Sequence, residues 1–434
     1  MSSEGESEPA SFGAGERTSL RRRLTIVFIT ITFDPEPGAQ HGLPLARWLQ
    51  SRGHTVKVIT ALPQYPLGRI YDGYELHWRQ WETIDGVRIL RVPIYPSHDS
   101  SGARRMLTYL SFMLSACLIG VPSVGRADVV FLYEPPPTNG AAALLMKWFR
   151  GAPYVQHIAD LWPETVLQSG MLRGRIMHAL VGRTIGDFCK YLYKNARFVS
   201  VHSPSEEVML HDRGVPADKT SVTYNWVDET IFRPMPRDEA LAGRLGMASR
   251  FNFLFAGNLG PMQRCEVLVQ AAALLTHVPE IQLVIVGTGP LAAQVRSLAA
   301  ELGATNVRFI GRQPHTRMPA VNALGDVHLV HLRNYDFLRA IIPSKTQVAM
   351  ASGRPTLIAA NGDAADLVKQ AGAGVVCAPD DPRALADAML RMYRMPRAEL
   401  EAYGERARRY YVSHLSLDAS AAVFENLLIE AARE

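Results

Sequence analysis

Residues 251–290, FNFLFAGNLGPMQRCEVLVQAAALLTHVPEIQLVIVGTGP, decide the fold class of this chain. Two short runs of β-branched and aromatic residues, FNFLFAG and IQLVIVG, flank a longer stretch of helical composition. Strands that are apolar on both faces and separated by helices form parallel β–α–β units, because the helices cover both faces of the sheet. The stretch therefore predicts one unit of a parallel sheet.

The same alternation continues through the whole chain. Similar runs are LTIVFITIT, TVKVIT, RILRVPI, DVVFLYE, PYVQHIA, RFVSVHS and SVTYNWV in the first half, and NVRFIG, DVHLVHL, PTLIAA and GVVCA in the second. Two successive series predict an α/β protein with two doubly wound parallel sheets. Ligands bind outside the carboxyl ends of such strands, so we expect the site in the cleft between the domains.

Changes in composition predict the domain boundaries. Residues 1–22 are rich in Ser, Gly and Glu and are predicted to be a disordered tail. A Rossmann-like domain over 23–235, a Pro-rich and charged linker over 236–250 and a second Rossmann-like domain over 251–414 follow. The last segment, 415–434, is predicted to be a helix and is a candidate to cross back to the first domain.

Composition excludes several classes of protein. The net charge of +5 is diffuse, with no basic stripe interleaved with aromatic residues, so nucleic acid is not an expected partner. Four scattered cysteines form neither a metal-ligand pattern nor a disulfide framework, which fits a reducing cytoplasm. Arginines at 21–23 before LTIVFITITF imitate a signal peptide, but the run is β-branched and ends in DPEPG, which predicts a first buried strand.

One apolar segment, 104–124, departs from the alternating pattern. It has basic flanks and is interrupted by Ser and Thr, and it is short for a membrane span, which needs about 20 apolar residues. Two interpretations stay open: a buried helix of the first domain, or an interfacial helix that contacts a membrane. We expect a cytoplasmic protein that contacts the inner face of the cell membrane through this segment.

Several motifs occur in order from Arg23 onward: HIADLWPET, YNWVDETIFRP, FAGNLG, LVIVGTGP, FIGRQP and IPSKTQVAMASGRPTLIA. Together they resemble glycosyltransferase family 4, and in particular a bacterial branch that includes colanic-acid and O-antigen fucosaminyl-type transferases. The resemblance implies the GT-B fold and a retaining, metal-independent transferase without a cofactor. It implies a nucleoside-diphosphate sugar as donor (a UDP-sugar by default) and a saccharide or polyprenyl-linked acceptor, in cell-surface polysaccharide or glycolipid synthesis.

Two alternatives stay open: a nucleotide-sugar isomerase or epimerase of the same fold, and a non-catalytic nucleotide-binding partner of a transferase. The second is motivated by a departure from the family, which carries two glutamates eight positions apart. In AIIPSKTQV these positions fall on Ala340 and Val348, whose side chains accept no hydrogen bond. Gln347 is adjacent but turned by about 100° round the helix. Val348 remains the donor-side position that the resemblance gives.

The donor phosphates have two candidate sites. Ser344 and Lys345 of IPSK stand at a predicted helix start, where unpaired N–H groups and partial positive charge favour an anion. The resemblance makes Lys345 a catalytic diphosphate ligand with Ser344 beside it; a serine N-cap with a solvated lysine is the alternative. In the glycine-rich turn FAGNLGPMQRC, Asn258 is the expected donor contact and Arg264 a second catalytic cation, with a surface arginine as the alternative.

Two other loops complete the expected donor site. GRQP follows the third strand of the second domain, and the resemblance implies that Arg312 and Gln313 meet the nucleotide base. A solvated loop arginine is the alternative interpretation. Gly38, in EPGAQ, matches the glycine-rich loop through which the first domain approaches the donor phosphates.

The motif QHIADLWPET ends a first-domain strand and should face the cleft. By the resemblance, Asp160 is a catalytic candidate, and His157, Trp162 and Glu164 are candidates for the acceptor side. Asp160 as a helix cap and His157 as a core histidine are the alternatives. Trp162 offers an apolar face to a sugar or a lipid-linked acceptor.

Overall fold

The computed structural model describes residues 22–37, 41–98, 101–163 and 175–433. In these ranges each series of strand–helix units forms its own sheet, covered by helices on both faces. Each apolar run named above overlaps a strand. The predicted α/β architecture with two doubly wound sheets is confirmed.

The first sheet has eight strands: β1 (Thr25–Ile29), β2 (Thr55–Ala61), β3 (Gln80–Ile84), β4 (Val87–Val92), β5 (Val129–Glu134), β6 (Tyr154–Ile158), β7 (Phe198–Val201) and β8 (Thr220–Val222). Their order is β3-β4-β2-β1-β5-β6-β7-β8. The pairings are parallel, except that β3 runs antiparallel to β4.

Strand β3 is absent from the sequence prediction, and it makes the first sheet mixed. Asp85 and Gly86 join β3 to β4 and have φ values of 48° and 82°, the backbone of a two-residue hairpin turn that favours Asp-Gly. The side chains of β3 are half-buried or exposed, because the strand lies at the sheet edge. It therefore lacks the two-sided apolar pattern on which the prediction of the other strands depends.

Helices cover both faces of the first sheet. One face carries Gly102–Ser115, which continues through the π-helical Ala116–Gly120 into Val121–Val124, together with Gly140–Arg150 and Arg175–Asn195. The opposite face carries Leu43–Ser51. The helix Pro204–Asp212 follows β7 and buries Leu210 in the apolar cluster of the first face. Phe112 and Met146 are fully buried on the first face, and Leu45 on the second.

The last helix, Leu417–Ala431, packs on the first sheet beside Leu43–Ser51. The ring of Phe424 is fully buried and lies 5.1 Å from that of Phe131 in β5. Trp48 donates its indole N–H to the Asp418 carboxylate at 2.6 Å. These contacts attach the end of the chain to the first sheet.

The second sheet has six parallel strands: β9 (Phe251–Ala256), β10 (Ile281–Val286), β11 (Val307–Gly311), β12 (Val327–His331), β13 (Thr356–Ala359) and β14 (Gly374–Cys377), in the order β11-β10-β9-β12-β13-β14. Its helices are Cys265–Ala273, Ala292–Glu301, Met318–Asn322, Ser344–Ala351, Asp363–Gln370, Pro382–Tyr393 and Arg397–Tyr410, and the last continues as π-helical Tyr411–Leu415. Phe253 and Phe255 of β9 are buried on one face of the sheet and Leu254 on the other, which explains the continuous apolar run.

The segment 236–250, predicted as a linker, is instead folded onto the second sheet. Glu239–Leu245 is a helix whose N-cap, Asp238, accepts a hydrogen bond from the Leu241 N–H at 2.9 Å. Leu241 is buried in one apolar cluster with Leu254. The charged composition that suggested a linker belongs to the helix cap and to the exposed face of this helix.

Candidate active site

A cavity of about 1230 Å³ lies between the two domains. Its first-domain wall comes from the loops after β1, β2, β4, β5, β6 and β7, at the carboxyl ends of these strands. Its second-domain wall is formed by Phe337, Ala340, Ile341, Ile342 and Gln347. The cavity therefore occupies the cleft in which such folds bind their ligands.

Lys345 lies beside this wall with its ammonium nitrogen shielded from solvent. The Nζ atom lies 4.0 Å from the centre of the Phe255 ring and has no hydrogen-bond partner within the described residues. A Cβ at Gly257 would come within 3.1 Å of Nζ and would push the ammonium aside, and the φ of 156° at this position also favours glycine. Burial lowers the pKa of Lys345 to about 8, opposed by Cys265. The arrangement leaves a cation in need of an anion.

The helix start before Lys345 is not capped by a side chain. Pro343 holds the N-cap position, and Ser344 is the first helical residue and is exposed. The alternative of a serine N-cap therefore does not describe this loop. The first N–H groups of the Ser344–Ala351 helix remain the kind of donors that bind an anion.

The glycine-rich turn after β9 packs against the turn after β10. Gly257 N–H donates to Val286 O at 2.9 Å, and Leu259 N–H donates to Thr288 O at 3.0 Å. A side chain at Gly287 would collide with the Gly257 carbonyl, so VGTGP serves the packing of two turns. Asn258 is exposed at the tip of the first turn.

Arg264 is an ion-paired residue. Its guanidinium lies 2.9 Å from the Asp380 carboxylate, and its own φ is 38°. His331 accepts the Asp380 N–H at 3.1 Å through Nε2 and lies 3.0 Å from Gln263 O through Nδ1, which fits a neutral ring with the proton on Nδ1. Burial lowers the pKa of His331 to about 4, opposed chiefly by Asp380, while Arg264 and Lys345 lower it further. Both cations therefore act on one histidine.

The base-binding candidates lie in the loop that follows β11. Arg312 is exposed just after β11, and Gln313 donates to Ile310 O at 3.4 Å. Neither side chain belongs to the cavity wall. Their loop adjoins the turn after β10, because the Gly287 N–H donates to Gly311 O at 2.9 Å.

The two positions at which the family carries glutamates lie in different surroundings in this structure. Ala340 is buried in the cavity wall, whereas Val348 packs into an apolar cluster with Val227 and Phe232. The assignment of Val348 to the donor side is therefore corrected. Gln347, and not Val348, lines the cavity wall. It is 2% exposed, and its Nε2 donates a hydrogen bond to Asn225 O across the cleft at 2.9 Å.

On the first domain, Asp160 faces the cavity together with a histidine–glutamate pair. Glu206 accepts hydrogen bonds from the His202 N–H at 3.1 Å and from its ring Nδ1 at 3.0 Å. Desolvation by the cleft walls raises the pKa of Asp160, His202 lowers it and Glu206 raises it. The sequence analysis missed His202 and Glu206, although His202 lies near the end of the predicted strand run RFVSVHS and Glu206 follows it closely.

Glu36 lies behind the cavity wall and is a third residue that the sequence analysis missed. Its carboxylate is buried and accepts the N–H groups of Gln64 at 2.8 Å, Tyr65 at 2.7 Å and Phe33 at 3.1 Å. Burial nevertheless raises its pKa, against these three hydrogen bonds and Arg91. Glu36 therefore ties the loop after β1 to the loop after β2.

Of the acceptor-side candidates, one lines the cavity and one lies in the core of the first domain. Trp162 lines the cavity, and its ring lies 6.0 Å from that of Tyr109. His157 does not reach the wall: it is fully buried in β6, 3.3 Å from Ser200 Oγ and 4.4 Å from the His41 ring. The acceptor-side assignment of His157 is corrected, because its position in the strand points it into the core.

Gly38 and Glu164 lie outside the described residues. Within residues 22–37, 41–98, 101–163 and 175–433, no group of three or more His, Cys, Asp or Glu side chains is placed to hold a metal ion.

Two family models match this chain. Residues 39–226 match a glycosyl transferase 4-like domain, and residues 247–410 match the glycosyl transferases group 1. WcaI, assigned to colanic acid biosynthesis in Escherichia coli K12, is 28% identical over 320 residues, which are 73% of this chain and 78% of that protein. WbjE of Pseudomonas aeruginosa, assigned as a glycosyltransferase, is 26% identical over 339 residues, 76% of this chain and 83% of that protein.

A solved structure shares the fold over nearly the whole chain. HepE of Anabaena, solved with UDP-glucose, aligns with a TM-score of 0.65 at 16% identity and covers 94% of this chain and 100% of its own. The matched models fall in the order of the two sheets described above. This chain therefore belongs to the family 4 glycosyltransferases of the GT-B fold.

Proposed function

We propose that the protein is a retaining transferase that moves a sugar from a nucleoside-diphosphate sugar to a saccharide acceptor in cell-surface polysaccharide or glycolipid synthesis. The environment of Lys345 supports this proposal most strongly. Its shielded ammonium stands at a helix start and has no hydrogen-bond partner among the described residues. A diphosphate would supply the missing charge-assisted hydrogen bonds. A UDP-sugar is the default donor, because HepE is solved with UDP-glucose.

The proposed reaction depends on stabilising the leaving diphosphate. The bond from the anomeric carbon to the diphosphate oxygen breaks, and the acceptor hydroxyl bonds to that carbon on the same face. The hydroxyl proton passes to the departing phosphate oxygen. Negative charge grows on the diphosphate, where Lys345 and the N–H groups at the start of the Ser344–Ala351 helix would stabilise it. The proposal includes neither a metal ion nor a cofactor.

The other donor residues have supporting roles in this proposal. Arg264 adds a second cation, either beside its ion pair with Asp380 or by exchanging it for the diphosphate. Asn258 and Ser344 are exposed on the two phosphate loops. Arg312 and Gln313 remain the candidates for contact with the base. Asp160 and Trp162, on the opposite wall, would bind and orient the acceptor.

We further propose a lipid-linked acceptor and peripheral attachment to the inner face of the cell membrane. The helix Gly102–Val124 is long and apolar enough to span a membrane by length and composition. In the fold it is one-sided: Thr108 and Phe112 are buried, whereas Leu107, Leu110, Leu114 and Leu118, here called the leucine stripe, are exposed. An interfacial helix has this form. Arg105 and Tyr109 of the same helix line the cavity, so an acceptor held in the bilayer would be near the cleft.

Incubation with UDP-sugars and a membrane extract tests the transferase proposal. We expect one UDP-sugar to yield UDP and a glycosylated lipid, with no turnover when the extract is omitted. Conversion of the donor without an acceptor would instead identify an isomerase or epimerase. Nucleotide binding without turnover of any donor would identify a non-catalytic partner, and either result would contradict the proposal.

A further inference from the structure

A second surface of the first domain exposes a cluster of aromatic side chains. Trp148 and Phe149, near the end of the Gly140–Arg150 helix, are 54% and 76% exposed. The Trp148 ring lies 6.5 Å from that of Tyr191, which is 45% exposed on the neighbouring Arg175–Asn195 helix. Adjacent large apolar side chains at this exposure mark a surface that contacts something other than water. We call these three residues the aromatic patch.

Three arginines surround a depression of about 500 Å³ beside Phe149. Arg22, Arg126 and Arg150 line it, and Asp128 is the one carboxylate among its described lining residues. That carboxylate accepts a backbone N–H at 2.7 Å and lies 3.6 Å from the Arg126 guanidinium. Three cations against one anion leave this arginine depression positive, and guanidinium groups bind phosphate oxygens well.

The arginine depression adjoins the far end of the helix that carries the leucine stripe. The Arg150 guanidinium donates to Pro122 O at 3.4 Å, within the Val121–Val124 helix. The sequence has no Asp or Glu over 100–127 or over 135–159, the segments that carry the stripe and most of the aromatic patch. Apolar and basic side chains thus occupy this side of the domain without acidic residues from those segments to repel an anionic surface.

We propose that the aromatic patch and the arginine depression form a second membrane anchor, in which the three arginines bind phosphate groups of anionic phospholipids. Aromatic rings at headgroup level and basic residues on lipid phosphates are the contacts that membrane interfaces favour. The inference rests on the proposed attachment through the leucine stripe and adds a second contact to it. One helix leaves the domain free to roll about the helix axis, whereas two anchors fix its orientation.

Vesicle flotation of the full chain tests the anchor. The probes are vesicles of phosphatidylcholine alone and of phosphatidylcholine with phosphatidylglycerol in equal parts. The variant Arg22→Gln, Arg126→Gln, Arg150→Gln should bind the anionic vesicles about fivefold more weakly for each arginine removed. The matched control changes three exposed arginines of the second half, Arg244→Gln, Arg250→Gln and Arg391→Gln, and should bind as the wild type does.

A second readout follows the aromatic patch directly. Lipids with brominated acyl chains should quench tryptophan fluorescence of the wild type, and Trp148→Phe should remove part of that quenching while leaving vesicle binding within about twofold. Melting curves of each variant verify that it is folded.

The outcomes separate the two proposals. Weaker binding of the arginine variant together with loss of quenching in Trp148→Phe supports the second anchor. The second anchor would be overturned if the arginine variant bound like the wild type while the double variant Leu114→Ser, Leu118→Ser lost binding. Attachment through the leucine stripe would then still hold. A wild-type protein that binds neither kind of vesicle would overturn both proposals. Dimerisation in the absence of lipid that depends on Trp148 and Phe149 would identify a protein interface and overturn the anchor alone.

Discussion

Lys345 Nζ lies 4.0 Å from the centre of the Phe255 ring, and no hydrogen-bond acceptor within the described part of the chain reaches it. Attraction between a cation and an aromatic face offsets only part of the cost of removing a charge from water. A lysine that packs in this way weakens the unligated protein and prepares it for an anion. Stability and binding should therefore respond to changes of this residue in opposite directions.

Lys345→Met should raise the free energy of unfolding at neutral pH by about 1–3 kcal/mol. Methionine keeps much of the side-chain length and the contact with Phe255 but removes the buried charge. Urea unfolding without ligand measures the change. Lys369→Met is the control, because Lys369 is exposed and its surface ion pair with Asp366 contributes little. A less stable Lys345→Met protein would contradict the account of a costly buried charge.

Nucleotide affinity should fall as the pH rises above about 8, the pKa to which burial lowers Lys345. Below this pKa the lysine is already charged, whereas above it a diphosphate must bind together with a proton. The unligated protein should show the reverse trend. Its stability should rise between about pH 8 and the unfolded lysine pKa of about 10.4, because the unfolded chain holds the proton more tightly.

Calorimetric titration of UDP in buffers of different ionisation enthalpy measures this proton uptake. Lys345→Arg should bind without the pH dependence, since arginine stays charged. Identical affinity and no proton uptake by the wild type over about pH 7 to 9.5 would rule out a titrating lysine as the ligand.

Asp160→Asn should lower kcat/KM for sugar transfer by about a hundredfold, the loss expected when the acceptor hydroxyl is no longer held in position. Nucleotide affinity should stay within about twofold, because the donor cluster belongs to the other domain. Initial rates and UDP titrations measure the two effects. Asp218→Asn, an exposed change outside the cavity wall, is the control. If nucleotide affinity and the transfer rate fell equally, Asp160 would be assigned to donor binding and not to acceptor binding.

Asp363 joins the two domains by accepting the Ser205 N–H at 2.9 Å and the Ser205 hydroxyl at 2.7 Å. It stands at the start of the Asp363–Gln370 helix and faces the start of the Pro204–Asp212 helix, whose partial positive charges favour a carboxylate. Asp363→Ala should therefore open the cleft and increase the radius of gyration in solution scattering. Ser205→Ala, which loses one bond of two, should have a smaller effect. An unchanged scattering profile of Asp363→Ala would show that this contact does not hold the domains together.

The sheets were predictable from the sequence because strands buried on both faces carry a continuous apolar signal. The edge strand β3 lacks that signal, and its hairpin is marked only by Asp85 and Gly86. The helix start at Lys345 was also predictable, because a proline followed by a serine at a helix start is a local pattern.

The contacts of the candidate site depend on residues distant in the chain. Arg264 pairs with Asp380, and Gln347 reaches Asn225 on the other domain. By helical spacing, Gln347 points about 100° away from Val348, the position that aligns with the family's second glutamate. Its place in the cavity wall depends on the first domain, which faces it across the cleft. Neither partner can be found from local periodicity, since both come from tertiary packing.

Titration of UDP into the wild type and into Lys345→Ala measures whether Lys345 binds the donor diphosphate. Charge-assisted hydrogen bonds are worth roughly 1.5–3 kcal/mol, so affinity should fall by about ten- to a hundredfold. Lys369→Ala, carried out in parallel, should bind as the wild type does. Wild-type affinity for UDP in a folded Lys345→Ala protein would show that Lys345 does not bind the diphosphate.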